Sequence, residues 1–171
     1  DTDGLPDSWE FTHFGDRDQD GTADYDGDGA VDALEYLADK DPDDNSDFDT
    51  DTDTDTDGMP DIWEYLYFSD LDEAGDDDFD SDGLDNNEED EAGTDPLDDD
   101  SDDDTLLDGV ETDTGTYVSS SDTGTDPNSS DTDADGYDDG VETDTGVWVS
   151  SSNTGTDPHN ADTDTDGLDD G

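Results

Sequence analysis

The feature that most limits this chain is a spacing: aspartates at alternate positions run into a glycine, D-x-D-x-D-G, and the pattern returns along its whole length. Alternating carboxylates crowd like charges together, which costs free energy until a cation sits among them. The glycine permits the left-handed backbone that a sharp turn needs. Numbering such a loop from its first aspartate, calcium chemistry asks for side-chain oxygens at positions 1, 3 and 5, glycine at 6, a backbone carbonyl at 7, a further ligand at 9 and a bidentate carboxylate at 12.

Four stretches fill every position. They are Asp53, Asp55, Asp57, Asp61 and Glu64 around Gly58; Asp131, Asp133, Asp135, Asp139 and Glu142 around Gly136; and Asp24, Asp26, Asp28, Asp32 and Glu35 around Gly29. The fourth is Asp78, Asp80, Asp82, Asn86 and Glu89 around Gly83, with an amide oxygen at position 9. In a fifth, Asp100, Asp102, Asp104, Asp108 and Glu111, Thr105 replaces the glycine, so a distorted or weaker site is expected. The first loop enters at position 3 with Asp1, Asp3, Asp7 and Glu10, and the last, Asp162, Asp164, Asp166 and Asp170, stops before position 12. A further half-loop, Asp16, Asp18 and Asp20, shares Asp24 with its successor. Such half-built loops lead to the expectation of covalently adjacent repeats or of copies of the chain joined end to end.

Charge narrows the partners. The 171 residues carry 62 acidic side chains against 2 basic ones, a formal charge of -60, and only 23% are hydrophobic. Burial alone cannot offset the ordering entropy of such a chain, so something must neutralise it. Nucleic acid and anionic membrane surfaces both require Lys and Arg, which leaves cations. No apolar run reaches the length of a membrane span, so no membrane insertion is expected. Magnesium, smaller and strictly octahedral, fits a long all-carboxylate loop less well than calcium, and no Cys or His cluster favours zinc. General halophilic acidity would draw on Glu as readily as Asp and would keep no period.

Internal repeats organise the rest. Residues 1–42 align without gaps on 55–96, and 109–139 on 140–170. Four segments follow: long repeats at 1–54 and 55–108 and short ones at 109–139 and 140–171. Acidic and Ser/Thr-rich connectors such as 43–54 and 97–104 offer no apolar face and read as loops. LPDSWEFTHF and MPDIWEYLYF begin short helices at Pro6 and Pro60. Thr116-Tyr117-Val118 and Val147-Trp148-Val149 read as short strands.

With G-T-D-P turns at Gly93-Thr94-Asp95-Pro96, Gly124-Thr125-Asp126-Pro127 and Gly155-Thr156-Asp157-Pro158 between the loops, the chain resembles bacterial thrombospondin type 3 repeats, EF-hand-like calcium-binding modules. The resemblance implies a calcium-stabilised repeat rod, mostly irregular loops with short helices, little regular sheet and small local cores. It also implies several calcium ions per chain and a place in a secreted or surface protein, as stalk, spacer, adhesive or filament-forming segment. Thr105, the absent cysteines and the 31-residue units depart from that pattern.

Two other functions compete. A disordered Asp-rich calcium buffer or mineral-associated protein would need the charge but not the phased glycine, the position-12 Glu or the recurring Trp. A dockerin-like partner-binding module would need longer paired helices than the sequence offers. Trp9, Phe14, Trp63 and Phe68 read as small cores, and His13 and His159, isolated in sequence, as solvated side chains. No raised-pKa pocket is expected in a thin, wet chain, and hence no enzyme.

Overall fold

The computed structural model describes residues 5–15, 19 and 21–171. Four short α-helices occur, α1 (Asp7–His13), α2 (Asp32–Leu37), α3 (Asp61–Phe68) and α4 (Asn86–Ala92), followed by 3-10 turns at Asp108–Val110 and Asp139–Val141. Every one of these elements begins at position 9 of a metal-type loop. In the four α-helices the first turn therefore carries the position-12 Glu, where acidic side chains also complement the helix dipole, and in the two 3-10 turns that Glu is the C-cap. Pro6 and Pro60 sit one residue before the first helical residue, as N-caps in extended conformation. Only α4 has a full capping box, made by Asp85 and Glu88. At 108–110 and 139–141 the helix fails after one turn, since a glycine follows position 9 and a Thr/Asp/Gly-rich segment comes next.

The chain divides into two compact units, residues 1–77 and 78–171. In the first, Ala30, Leu34, Ala38 and Phe48 form a buried cluster against which Val31, Ile62, Tyr65 and Leu71 pack, joining α2 to α3. Ala30 and Met59, the position-7 residues of their loops, are fully buried. The tryptophans lie at the margin of this core. Trp9 is half-buried and stacks on His13, Phe14 and Tyr36, while Trp63 meets Tyr67 and Phe68. The expected aromatic cores are thus satellites, and a position-7 alanine, α2 and the connector residue Phe48 supply the centre.

The second unit has a different interior. No Ala, Val, Leu, Met or aromatic side chain between 78 and 171 is fully buried; Thr94, Thr123, Thr125, Thr154 and the loop carboxylates are. Two narrow fingers project from it, at 113–125 and 144–156. Each is closed by paired backbone bonds, Asp113 N–H to Thr125 O and Asp144 N–H to Thr156 O among them. The segments expected as strands lie in these fingers but form none. Their backbone partner is a glycine at contact distance: a Cβ on Gly124 or Gly155 would lie 2.3 or 2.4 Å from the carbonyl oxygen of Thr116 or Val147. Bridging is confined to Ser119 with Asp122 and Ser150 with Asn153. Val118, Val147, Trp148 and Val149 are exposed.

Candidate metal centres

Each loop is tied by the same local bonds. The N–H of the position-9 residue donates to the carbonyl just before the loop: Asp32 to Ala23 (2.7 Å), Asp61 to Thr52 (2.8 Å), Asp139 to Ser130 (3.0 Å) and Asp170 to Ala161 (2.9 Å). The position-9 carboxylate in turn accepts from position 2. Thr54 donates its N–H to Asp61 Oδ1 (2.7 Å) and its hydroxyl to Oδ2 (2.6 Å); Ser101 and Thr132 treat Asp108 and Asp139 alike. Position 9 thereby clamps the loop, at a place that in such loops often reaches the ion through water.

The aspartates at 1, 3 and 5 are aimed by backbone N–H groups. Asp104 N–H donates to both Asp100 and Asp102 (3.0 and 3.1 Å), Thr105 N–H to Asp100 Oδ2 (2.9 Å), and Leu106 N–H to Asp104 Oδ1 (2.7 Å). The 131–142 and 162–170 segments repeat these bonds residue for residue. The position-3 aspartates keep one oxygen buried and without a hydrogen-bond partner, Oδ2 of Asp26, Asp80, Asp102 and Asp133. Ligand oxygens of Asp24, Asp26 and Asp28 lie within 4.8 Å of one another, as do those of the aspartates at 53/55/57, 78/80/82 and 100/102/104, so that each group could hold a metal ion.

The position-12 glutamates complete the argument for a cation. Glu35, Glu64 and Glu89 are fully buried, and neither oxygen of any of them has a hydrogen-bond partner. Buried charge without a partner is among the costliest arrangements in a protein. Burial, aggravated by the loop aspartates, raises each of these glutamates from 4.5 to about 8. Glu111 and Glu142 rise to about 8 as well, against the lowering effect of Thr125 and Thr156 hydroxyls. Raised carboxylates are thus present after all. They are buried inside the loops, beside the aspartate groups that could hold an ion.

Successive loops are also tied to one another. Asp82 and Asp104, at position 5, each accept from the N–H of the glycine at position 10 of the next loop, Gly109 (2.7 Å) and Gly140 (2.8 Å). Asp57 accepts similarly from Gly75 (2.6 Å). The G-T-D-P turns join in: the N–H groups of Asp95, Asp126 and Asp157 donate to the hydroxyls of Ser101, Thr132 and Thr163, the position-2 residues of the following loops.

No family model, characterised protein or solved structure matches the chain. The functional reading therefore rests on the loops themselves.

Of the predicted ligands, Asp1, Asp3, Asp16, Asp18 and Asp20 lie outside the described residues. Asp7 opens α1, and buried Glu10 accepts from the N–H of Gln19 (3.1 Å) while its Oε2 is unpartnered. Thr105 adopts φ 86°, close to the left-handed glycines of the other loops; the expected distortion is strain at one residue, not an opened loop. Two features escaped the sequence reading. Position 4 is also left-handed in six loops among the described residues, at Gly27, Thr56, Ser81, Asp103, Ala134 and Thr165, residues with nothing in common. And Asp47, outside any loop, lies with Asp28 and Glu35 in a further group of three carboxylates able to hold an ion. The histidines are not solvated either. His13 Nδ1 sits 3.2 Å from Asp41, and His159, with its side chain 13% exposed, 3.4 Å from Asp157.

Proposed function

We propose that the chain is a calcium-binding structural segment of a secreted or surface protein, a stalk, spacer or filament-forming element whose folding depends on the ion, and not an enzyme. The observation that carries this reading is the set of fully buried position-12 glutamates with no hydrogen-bond partner for either oxygen, each facing a triad of aspartates. A buffer or mineral-nucleating chain would keep such charges in water. Calcium suits the oxygen-only donor set and the number of carboxylates, and the loops resemble those of thrombospondin type 3 repeats in spacing and in their G-T-D-P punctuation. Extracellular loops of this kind bind at about 0.1 to 1 mM, a concentration the cytosol does not offer. Neighbouring repeats or further copies of the chain are the natural partners of a module whose loops already bond to their successors.

The test is folding against free calcium. Circular dichroism and solution scattering in EDTA should show an expanded, mostly unstructured chain that becomes compact in millimolar calcium. Identical spectra and dimensions in both conditions would remove the basis of the proposal.

A further inference from the structure

The 24–35 loop differs from its copy at 78–89 in what stands behind it. In the second unit the nearby carboxylate from the next loop is Asp108, which adds to the charge around Glu89, but both Asp108 oxygens are taken by Ser101. At the position equivalent to Ser101 the first copy carries Asp47. The backbone bond is kept: Asp41 N–H donates to Asp47 Oδ2 (2.9 Å) just as Asp95 N–H donates to Ser101 Oγ (2.9 Å). The other oxygen, Asp47 Oδ1, is buried and has no partner. It faces Glu35, fully buried with both oxygens unpartnered, and Asp28, whose Oδ2 is likewise buried and unpartnered; ligand oxygens of the three lie within 4.8 Å of one another.

Phe48 explains why the connector delivers Asp47 here. Its ring is buried against Ala30, Leu34 and Ala38, so the residue before it is held over the back of α2 and the loop. Five acidic residues thus converge, Asp24, Asp26, Asp28, Glu35 and Asp47, in two groups that share Asp28. A fold gains nothing by bringing a fifth carboxylate up to a buried, orphaned Glu unless a cation occupies the gap.

We propose that Asp47 is a ligand of the cation held by the 24–35 loop, supplied from the connector that follows α2. This rests on the calcium reading above. With one oxygen each from Asp24, Asp26, Asp28, Asp47 and the carbonyl of Ala30 and two from Glu35, the protein alone supplies about seven ligands, within the range calcium takes. The site needs no water to complete its shell, carries one more negative charge than any other of the complete loops, and is the tightest of them.

Calcium titration calorimetry on the full chain tests this with Asp47→Ser, the residue found in the second copy, and with Asp47→Asn, which keeps one oxygen for the ion but removes the charge. In the wild-type chain one ion binds more tightly than the rest. Asp47→Ser weakens that ion about 10- to 100-fold with the total number of ions unchanged, Asp47→Asn weakens it less, and neither adds to the effect of Glu35→Gln. Circular dichroism at saturating calcium reports whether the variants fold, and if the serine variant does not, the asparagine variant decides. A wild-type chain that binds no calcium overturns the functional reading itself. Normal binding with an unaltered tight ion in the Asp47 variants overturns only the role of Asp47. Loss of one whole ion, or an effect that persists undiminished beside Glu35→Gln, places Asp47 elsewhere and overturns it too.

Discussion

Replacing Glu64 by Gln should stabilise the calcium-free fold and destabilise the calcium-bound one. Glu64 is fully buried with no partner for either oxygen, and its folded value of about 8 stands above an ordinary 4.5. A carboxyl raised on folding is tolerated while protonated, so the calcium-free fold has its full stability below pH about 4.5 and loses it as the pH climbs toward 8. At 1.36 kcal/mol per unit, the rise from 4.5 to pH 7.5 makes this one side chain cost up to about 4 kcal/mol in the absence of an ion. Glutamine removes that cost. With calcium present the same change deletes a bidentate anionic ligand, and the affinity of the 53–64 loop should fall at least about tenfold. The assay is far-UV circular dichroism in EDTA at pH 7.5 with increasing TMAO, which drives folding, alongside calorimetric calcium titration. The variant should fold at lower TMAO and bind fewer or weaker ions; at pH 5 the difference in EDTA should shrink. Equal destabilisation with and without calcium would show that Glu64 is a structural group and not a ligand.

Three further substitutions probe the loop frame. Thr105→Gly should raise the affinity of the 100–111 loop and add about 1 kcal/mol of stability, because a threonine at φ 86° is relieved; calorimetry and thermal melts in calcium would show it. Gly140→Ala should cost more than 2 kcal/mol in the calcium-bound form, since a Cβ there would stand 2.2 Å from the Asp104 carbonyl and push the N–H off Asp104 Oδ2, whereas Gly146→Ala, with open space around it, should cost only the strain of its φ of 65°; thermal melts compare the two.

The acidic groups were legible because they depend on a few adjacent residues. Three alternating aspartates, a glycine and a glutamate six residues later state a loop and its charge, and the structure groups those aspartates as the spacing requires. The irregular, helix-poor fold was legible for the same reason. What depended on the third dimension was not. Nothing near Asp47 marks it, since its meeting with Glu35 is arranged by Phe48 and α2. Position 4 left no trace, because the bonds that close the loop impose φ > 0 on glycine, threonine, serine, aspartate and alanine alike. Strand-forming residues at 116–118 and 147–149 were overruled by Gly124 and Gly155, whose missing side chains let the backbones approach too closely for a regular ladder.

The interior of residues 78–171 contains threonines and carboxylates where most proteins keep leucines and phenylalanines. The heat-capacity increment of unfolding comes mainly from apolar surface newly exposed to water, and polar surface subtracts from it. This unit therefore unfolds with an unusually small increment, and its stability curve is shallow, without the pronounced dome of an oil-filled domain. Temperature becomes a weak variable for it, while on the calcium reading proposed above each bound ion would add a term that follows the logarithm of the surrounding calcium concentration. On that reading the folded population of this part of the chain would be set by the mineral content of its surroundings more than by their warmth.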